Sequence, residues 1–463
     1  MDLSRPTRLV PLAALLVGAA AIALWLALSQ PPETAVRVPR QEERDAQAGE
    51  GAVERNAGTL IAGQGTPSEL TGSWPQFRGA DRTNVVRDAA GLTRSWGGRE
   101  LRVLWTIEAG EGHSGAAVRD GRVYMMDYDR EKLEDQVRCL SFDDGADIWR
   151  YTYYVKVKRN HGMSRTVPAV SGDYVVTLGP KCHVVCLDAR QGTLIWKKDL
   201  VAEHGTEVPP WYAGECPLID GGNAILAPGG EPLMMAVELA TGKTVWETPN
   251  PGGWGMTHSS VVAVEVGGER QFVYCTTLGV VGVSAQDGRL LWRLPEWKIN
   301  PANVAMPVPV GGDRLFLSGG YNKGCMMLRL PSGSEPETLW RLPAKTFGSD
   351  QHTPILHEEH IYGTIPPKGE LACLDLEGNR LWTSGGEARF GLGPYILADG
   401  LLFVLSDEGG TLHVAEASPD GYNELGVFHV LHGHDAWAPM AMADGRLILR
   451  DLTQVVCLEL PRE

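Results

Sequence analysis

Eight side chains at or near one recurring position of this chain could together hold a ligand: Arg165, Glu215, Trp254, His258, Asn303, Asp350, His352 and Trp437. Imidazoles and carboxylates can move protons or ligate metals, and a guanidinium suits a carboxylate or phosphate. Indoles offer flat faces for stacking. His258 and His352 fall in different repeats, so a metal shared with Glu215 is not expected, and no side chain is assigned a catalytic role. Other clusters read as solvated structure. His357-Glu-Glu-His360 lacks the helical His-Glu-x-x-His spacing and falls on a hairpin turn. His432-Gly-His434-Asp435 and the basic run Lys156 to His161 read as polar loops.

What positions these residues is a repeat. A tryptophan returns about every 42–50 residues and closes a similar phrase each time. The copies run Cys139 to Trp149, Cys186 to Trp196, Ala236 to Trp246 and Gly282 to Trp292. A looser copy ends at Trp340, and a copy one residue shorter runs from Cys373 to Trp382. Each phrase has an apolar pair, an Asp-Gly or Thr-Gly turn, then branched residues and the indole. That is hairpin chemistry. A second turn signal runs in phase with the first, eight times, from Asp120-Gly121 to Asp444-Gly445. Two hairpins per repeat make four short antiparallel strands, and eight such units make a propeller of eight blades.

The last unit, from Ala436 to Leu460, has no closing tryptophan strand. Arg102 to Ile107 carries that pattern around Trp105, so it is expected to supply the missing outer strand and close the ring. The expected fold is thus an all-β, eight-bladed β-propeller with four-stranded antiparallel blades. Trp105, Trp149, Trp196, Trp246, Trp292, Trp340 and Trp382 are expected to dock each blade on its neighbour. The innermost strands align through Ala116, Pro168, Pro217, Ser260, Pro307, Pro354, Pro394 and Pro439. Two positions earlier stand Ser114, Thr166, Glu215, His258, Ala305, His352, Leu392 and Trp437, and period two places them on one face. That face should line the central channel or its mouth, with Arg165, Trp211, Tyr212, Trp254 and Gln351 on the loops above.

Composition narrows the partners. Of 463 residues, 42 are Lys or Arg and 57 Asp or Glu, for a net charge of −15. Nucleic acid is therefore not an expected partner, because phosphate recognition wants a basic face. The eight cysteines include Cys139, Cys186, Cys373 and Cys457 at one repeat position, which reads as a small buried hydrophobe. No Cys-x-x-Cys pair and no Cys-x-x-Cys-His haem site is present. Leu9 to Leu28 is an uncharged apolar run preceded by Arg5 and Arg8, long enough to span a bilayer. Residues 1–29 therefore read as a transmembrane signal anchor or a signal peptide, with the propeller sent outward. Residues 30–73 read as a disordered tether, and 74–463 as the propeller domain. A monomer is expected.

Ala236-Val-Glu-Leu-Ala-Thr-Gly242-Lys-Thr-Val-Trp246 resembles the docking motif of the pyrroloquinoline quinone (PQQ)-like β-propellers, Ala-x-Asp-x-x-Thr-Gly-x-x-x-Trp. Cys186 to Trp196 keeps its Asp188, Gly192 and Trp196, and the likeness covers about residues 74–460. Trp74-Pro-Gln-Phe-Arg-Gly79 looks like the lead-in of many envelope-associated members. The resemblance implies a bacterial envelope location, facing the periplasm or exterior. It also implies either a quinoprotein dehydrogenase or a non-catalytic, BamB-like scaffold. A dehydrogenase of this type would need calcium held by carboxylate and amide oxygens, a base, a cation on the quinone and usually an adjacent-cysteine disulfide. No Cys-Cys pair occurs here and the chain is short. The reading is therefore a scaffold that binds envelope proteins or ligands without a cofactor. Two alternatives stand beside it: a dehydrogenase using PQQ and calcium at Glu215, Asn303 and Arg165, and a polysaccharide-binding protein stacking sugars on Trp211, Trp254 and Trp437.

Overall fold

Turn residues decide where this chain reverses, and blade 3 shows how. Gly221 and Gly222, with φ of 54° and 83°, join strands Leu218–Asp220 and Asn223–Leu226. Gly242, with φ of 71°, joins Pro232–Glu238 to Thr244–Pro249. Ala236 lies opposite Trp246 in this outer hairpin, and a bulge follows immediately at Val237. The same pairing and bulge recur at Cys139/Trp149, Cys186/Trp196, Gly282/Trp292, Met327/Trp340 and Cys373/Trp382. The repeat position that prefers Cys or a small residue is thus the one facing an indole.

The computed structural model describes residues 58–463 except Ala90 and Lys368. Those residues form eight antiparallel blades in an all-β propeller. The strand Arg102–Glu108 pairs with Gln454–Glu459 and completes the last blade, closing the ring. The apolar run 9–28 and residues 30–57 of the expected tether lie outside the described residues. Among the described residues no helix is long and apolar enough to cross a membrane. The last part of the expected tether is corrected. Thr59–Ala62 adds a fifth strand to blade 1, pairing with Arg150, Tyr151 and their neighbours. From there Ser68 reaches the Gly121 carbonyl at 2.9 Å and Gly72 the Asp444 carboxylate at 2.5 Å. Folded structure thus includes Thr59–Ala62, upstream of 74, because the segment completes the ladder of an outer edge strand.

The cores lie between neighbouring blades. Val176, Leu178, Cys186 and Trp196 of blade 2, for example, pack on Ala224, Leu226, Met235 and Val237 of blade 3. The tryptophans hold these junctions by a recurring contact. The indole N–H of Trp105, Trp149, Trp196, Trp340 and Trp382 donates to the carbonyl just beyond the third strand of the next blade. The acceptors are Phe142, Ala189, Leu239, Leu376 and Ser418, at 2.7–3.3 Å. Four of these rings also lie on the next blade's turn glycine: Trp105 on Gly145, Trp149 on Gly192, Trp196 on Gly242 and Trp340 on Gly378. Trp246 covers Gly288 and stacks on Phe272. Trp292 departs from the expectation, since its N–H donates to Gln271 of its own blade. Blade 5 has the longer, looser phrase, and its turn glycine, Gly333, meets nothing from the preceding blade.

Trp246 is 9% exposed and belongs to the core shared by blades 3 and 4. Trp246→Ala should lower unfolding free energy by roughly 3–5 kcal/mol, as other large core truncations do. Denaturant unfolding measures it, and a variant as stable as wild type contradicts the docking role.

Candidate functional site

The segment 74–86, which no repeat contains, runs into the centre of the ring. Trp74 exchanges hydrogen bonds with Val118 of blade 1, and the Pro75 carbonyl accepts from Val170 of blade 2. Arg82 donates to the carbonyls of Cys216, Pro217 and Val261 in blades 3 and 4. Arg78 donates to those of Thr353 and Pro354 in blade 6, at 2.6 and 2.9 Å. Asn84 donates to Tyr395 of blade 7, and Val85–Val86 then leaves as a short parallel strand beside Leu397 and Ala398. Both arginines are 4% exposed. Burial lowers each guanidinium to about 10, so both stay charged at neutral pH. Their charge is met by carbonyl oxygens rather than by carboxylates. The segment closes the channel from below, and the tip carrying Phe77 becomes part of a cavity floor.

Above the plug, the segments leading into the inner strands are tied to one another around the ring. Arg450 reaches the carbonyls of Gly110, Ser114 and Met126, and Ser114 Oγ donates to Thr166. The Val167 amide donates to Cys216 Sγ, and the Cys216 amide to Ser260 Oγ. Ser259 Oγ donates to Ala305, the Met306 amide to Thr353 Oγ1, and Tyr395 Oη to His352. The Trp437 indole closes the circuit on the Asp407 carboxylate at 3.1 Å. Every blade junction carries at least one such bond, so the mouth is preorganised.

The result is a cavity of about 250 Å³ open at that mouth. Of the eight side chains singled out by sequence, Arg165, His258, His352 and Trp437 line it, together with Trp211 and Gln351 from the loops. The other four are placed elsewhere. Glu215 is fully buried behind the wall, where it feels Arg82 of the plug. Asn303 is buried and its carbonyl accepts the His258 amide at 3.1 Å. Asp350 turns aside to accept the Tyr321 amide. Trp254 is held by Asn250 on an outer loop and packs on the blade 3–4 core. Sequence reasoning missed Phe77, His113, His161, Cys216 and Tyr321 as lining residues. His161 was visible only as the end of a basic run. His113 sits one position from the aligned Ser114, and a bulge-free period of two turns it away.

Three rim residues are strained. His161, Trp211 and Tyr321 all adopt left-handed φ of 50–62° without being glycine, which costs energy and clusters at functional positions. Trp211 stands 6.2 Å from the His258 ring, and His113 lies 4.9 Å from Trp437, ring centre to ring centre. Burial pushes the His113, His258 and His352 imidazoles down to about 3, 4 and 3, helped by the nearby arginines. All three are neutral at physiological pH. His113 Nε2 faces the His161 carbonyl at 3.1 Å and so carries the proton, leaving Nδ1 with the lone pair. Burial likewise lowers Arg165 to about 10, still charged.

The lining does not fit calcium. That ion takes six to eight oxygen ligands, whereas these walls offer rings, a guanidinium and one amide. Glu215 and Asn303, the oxygen donors the sequence offers, are withdrawn into the wall. Among the described residues no group of three or more His, Cys, Asp or Glu is placed to hold a metal ion. All eight cysteines are buried and unpaired.

The family profile described as outer membrane protein assembly factor BamB matches residues 133–384, more than half of the chain. The protein therefore belongs to this PQQ-like propeller family. Among curated proteins, none matches. BamB from Moraxella catarrhalis is 13% identical with a TM-score of 0.54, covering 78% of this chain and all of its own. The quinohemoprotein alcohol dehydrogenase of Comamonas testosteroni is 12% identical with a TM-score of 0.58, covering 84% and 82%. A europium-containing methanol dehydrogenase is 13% identical with a TM-score of 0.60, covering 82% and 89%. At such identities the likeness concerns the fold, which BamB and the two dehydrogenases share.

Glu215 allows a direct check of the buried wall. Burial raises its carboxyl from 4.5 to about 7 against the pull of Arg82. The protonated form is thus favoured in the folded state. Its stabilising contribution is complete below about 4.5 and is lost as pH rises to about 7, at roughly 1.4 kcal/mol per pH unit. Glu215→Gln should therefore gain on wild type between pH 4.5 and 7 and then level off, measured by denaturant unfolding. A difference that does not change with pH contradicts this placement.

Proposed function

We propose that this protein is a non-catalytic binding scaffold of the bacterial envelope, working as a monomer. Leu9 to Leu28 would anchor it, and the propeller would face the periplasmic or extracytoplasmic side. It would present the mouth of its ring to a protein or ligand. The observation that carries this reading is the lining of the mouth. It is a blind cavity of aromatic rings, imidazoles, one guanidinium and the Gln351 amide, braced at every blade junction, with Glu215 and Asn303 withdrawn into the wall. A rigid, preformed concavity lowers the ordering cost of binding. Family membership is compatible with it, since the family's range includes a scaffold protein.

A quinoprotein dehydrogenase would require calcium and a general base beside the quinone. Glu215 is the best base by residue type, yet it lies behind the wall, and no step is assigned to it. The polysaccharide reading keeps Trp211 and Trp437 at the mouth but loses Trp254 to the outer loop.

Calorimetric titration of PQQ into the purified protein, with and without calcium, separates the readings. The scaffold reading expects no calcium-dependent heat at protein concentrations of tens of micromolar. Stoichiometric, calcium-dependent binding overturns it and calls for an alcohol and sugar oxidation screen.

A further inference from the structure

The mouth cavity has an unbalanced charge. Arg165 is the one permanently charged side chain on its lining. Its Nη2 donates to the His161 carbonyl at 3.2 Å, and its Nε, buried, has no partner. No ion pair involving Arg165 occurs among the described residues. Neighbouring carboxylates are engaged elsewhere. Glu111 holds Arg130 and Arg159 at 2.9 and 2.6 Å, and Asp350 holds the Tyr321 backbone. Glu215 is behind the wall and protonated up to about pH 7. His113, His258 and His352 add no charge at neutral pH. A partly desolvated guanidinium without a counter-ion is costly, and that cost is recovered when an anion arrives.

The remaining walls describe the rest of the ligand. Trp211 and Trp437 flank the cavity, Tyr321 lines its rim and Phe77 rises from the plug. The space, about 250 Å³, corresponds to roughly eight waters at about 30 Å³ each. That admits one small ring. One cation calls for one negative charge, and a guanidinium fork matches a carboxylate edge with two parallel hydrogen bonds.

We infer that the mouth binds a compact aromatic monocarboxylate, its carboxylate on Arg165 and its ring between the indoles of Trp211 and Trp437. This rests on the reading of the mouth as the binding face and names the ligand class for it. It differs from a calcium-held quinone in needing no metal and only one anionic group. No bond is made or broken. Arg165 donates hydrogen bonds to the anion, and the neutral imidazoles of His113, His258 and His352 act as uncharged wall that does not compete for the carboxylate.

Benzoate and benzamide, the same ring with and without the charge, are the probes. Each is titrated calorimetrically into the purified full-length protein at pH 6 and low salt, then into Arg165→Gln and Arg165→Lys. Benzoate should bind at least tenfold more tightly than benzamide. Arg165→Gln should remove that preference while its melting temperature stays near wild type, and Arg165→Lys should keep part of it, as a point charge without the fork. Equal affinity for the two probes would overturn the inference while leaving the mouth as a binding site. A benzoate preference that survives Arg165→Gln also overturns it, since the anion is then held elsewhere. If neither probe binds, the inference fails, and the mouth reading is judged separately by whether residues at the mouth cross-link a partner.

Discussion

Two guanidiniums on the ring axis make the rest of this structure possible. A closed propeller converges eight inner strands on one line, where the backbone carbonyls at their starts have no ladder partner and little water. Unpaired carbonyls in such a place cost about as much as lost hydrogen bonds. Arg78 and Arg82 between them reach the carbonyls of blades 3, 4 and 6, and the backbone and Asn84 of the same segment reach blades 1, 2 and 7. Arginine suits this role because its fork donates in several directions from one plane and remains charged when buried. The plug thus converts an open channel into a cavity with a floor.

The outer parts of the ring depend on a different and weaker contact, repeated many times. Trp105, Trp149, Trp196 and Trp340 each span a blade junction, giving the ring to a turn glycine and the N–H to a carbonyl, while Trp246 makes the ring contact and Trp382 the N–H bond. The glycine is required twice over, by its positive φ and because a Cβ there would strike the indole; at Gly242 it would come within 2.6 Å of Trp196. Trp292, which makes neither contact, faces blade 5, the repeat whose phrase is longest and whose turn glycine, Gly333, meets nothing. The sequence phrase and the spatial contact fail together, which supports treating the phrase as an inter-blade device rather than an intra-blade one.

The blades and their closure are readable in the sequence because they follow from local rules: turn glycines, apolar pairs and a tryptophan at a fixed spacing. Even the ring closure is legible, since the last unit lacks a Trp strand and Arg102 to Ile107 carries one to spare. The site is readable only in part. Glu215 and Trp437 occupy the same repeat position, yet one is sealed in the wall and the other lines the cavity. The difference comes from partners that do not repeat, Arg82 of the plug for Glu215 and Asp407 for Trp437. Periodicity cannot reveal a contact made by a segment that occurs once. The same holds for Phe77, which reads as part of a lead-in but forms the floor, and for residues 58–73, whose polar composition hides a strand-pairing role.

The functional account joins these parts. The mouth of the plugged ring, at the end of the inner strands opposite their hairpin turns, joins aromatic rings, three strained rim residues and a cation without a carboxylate partner in one cavity. Its central claim is that the mouth is the working face. Photo-cross-linking in intact cells tests this most directly, with a reactive amino acid at Gln351 on the mouth and, separately, at Glu358 on the hairpin turn at the other end of the same inner strand. The account predicts discrete adducts from position 351 and few from 358. Adducts from 358 with none from 351 would contradict it and move the working surface to the opposite face.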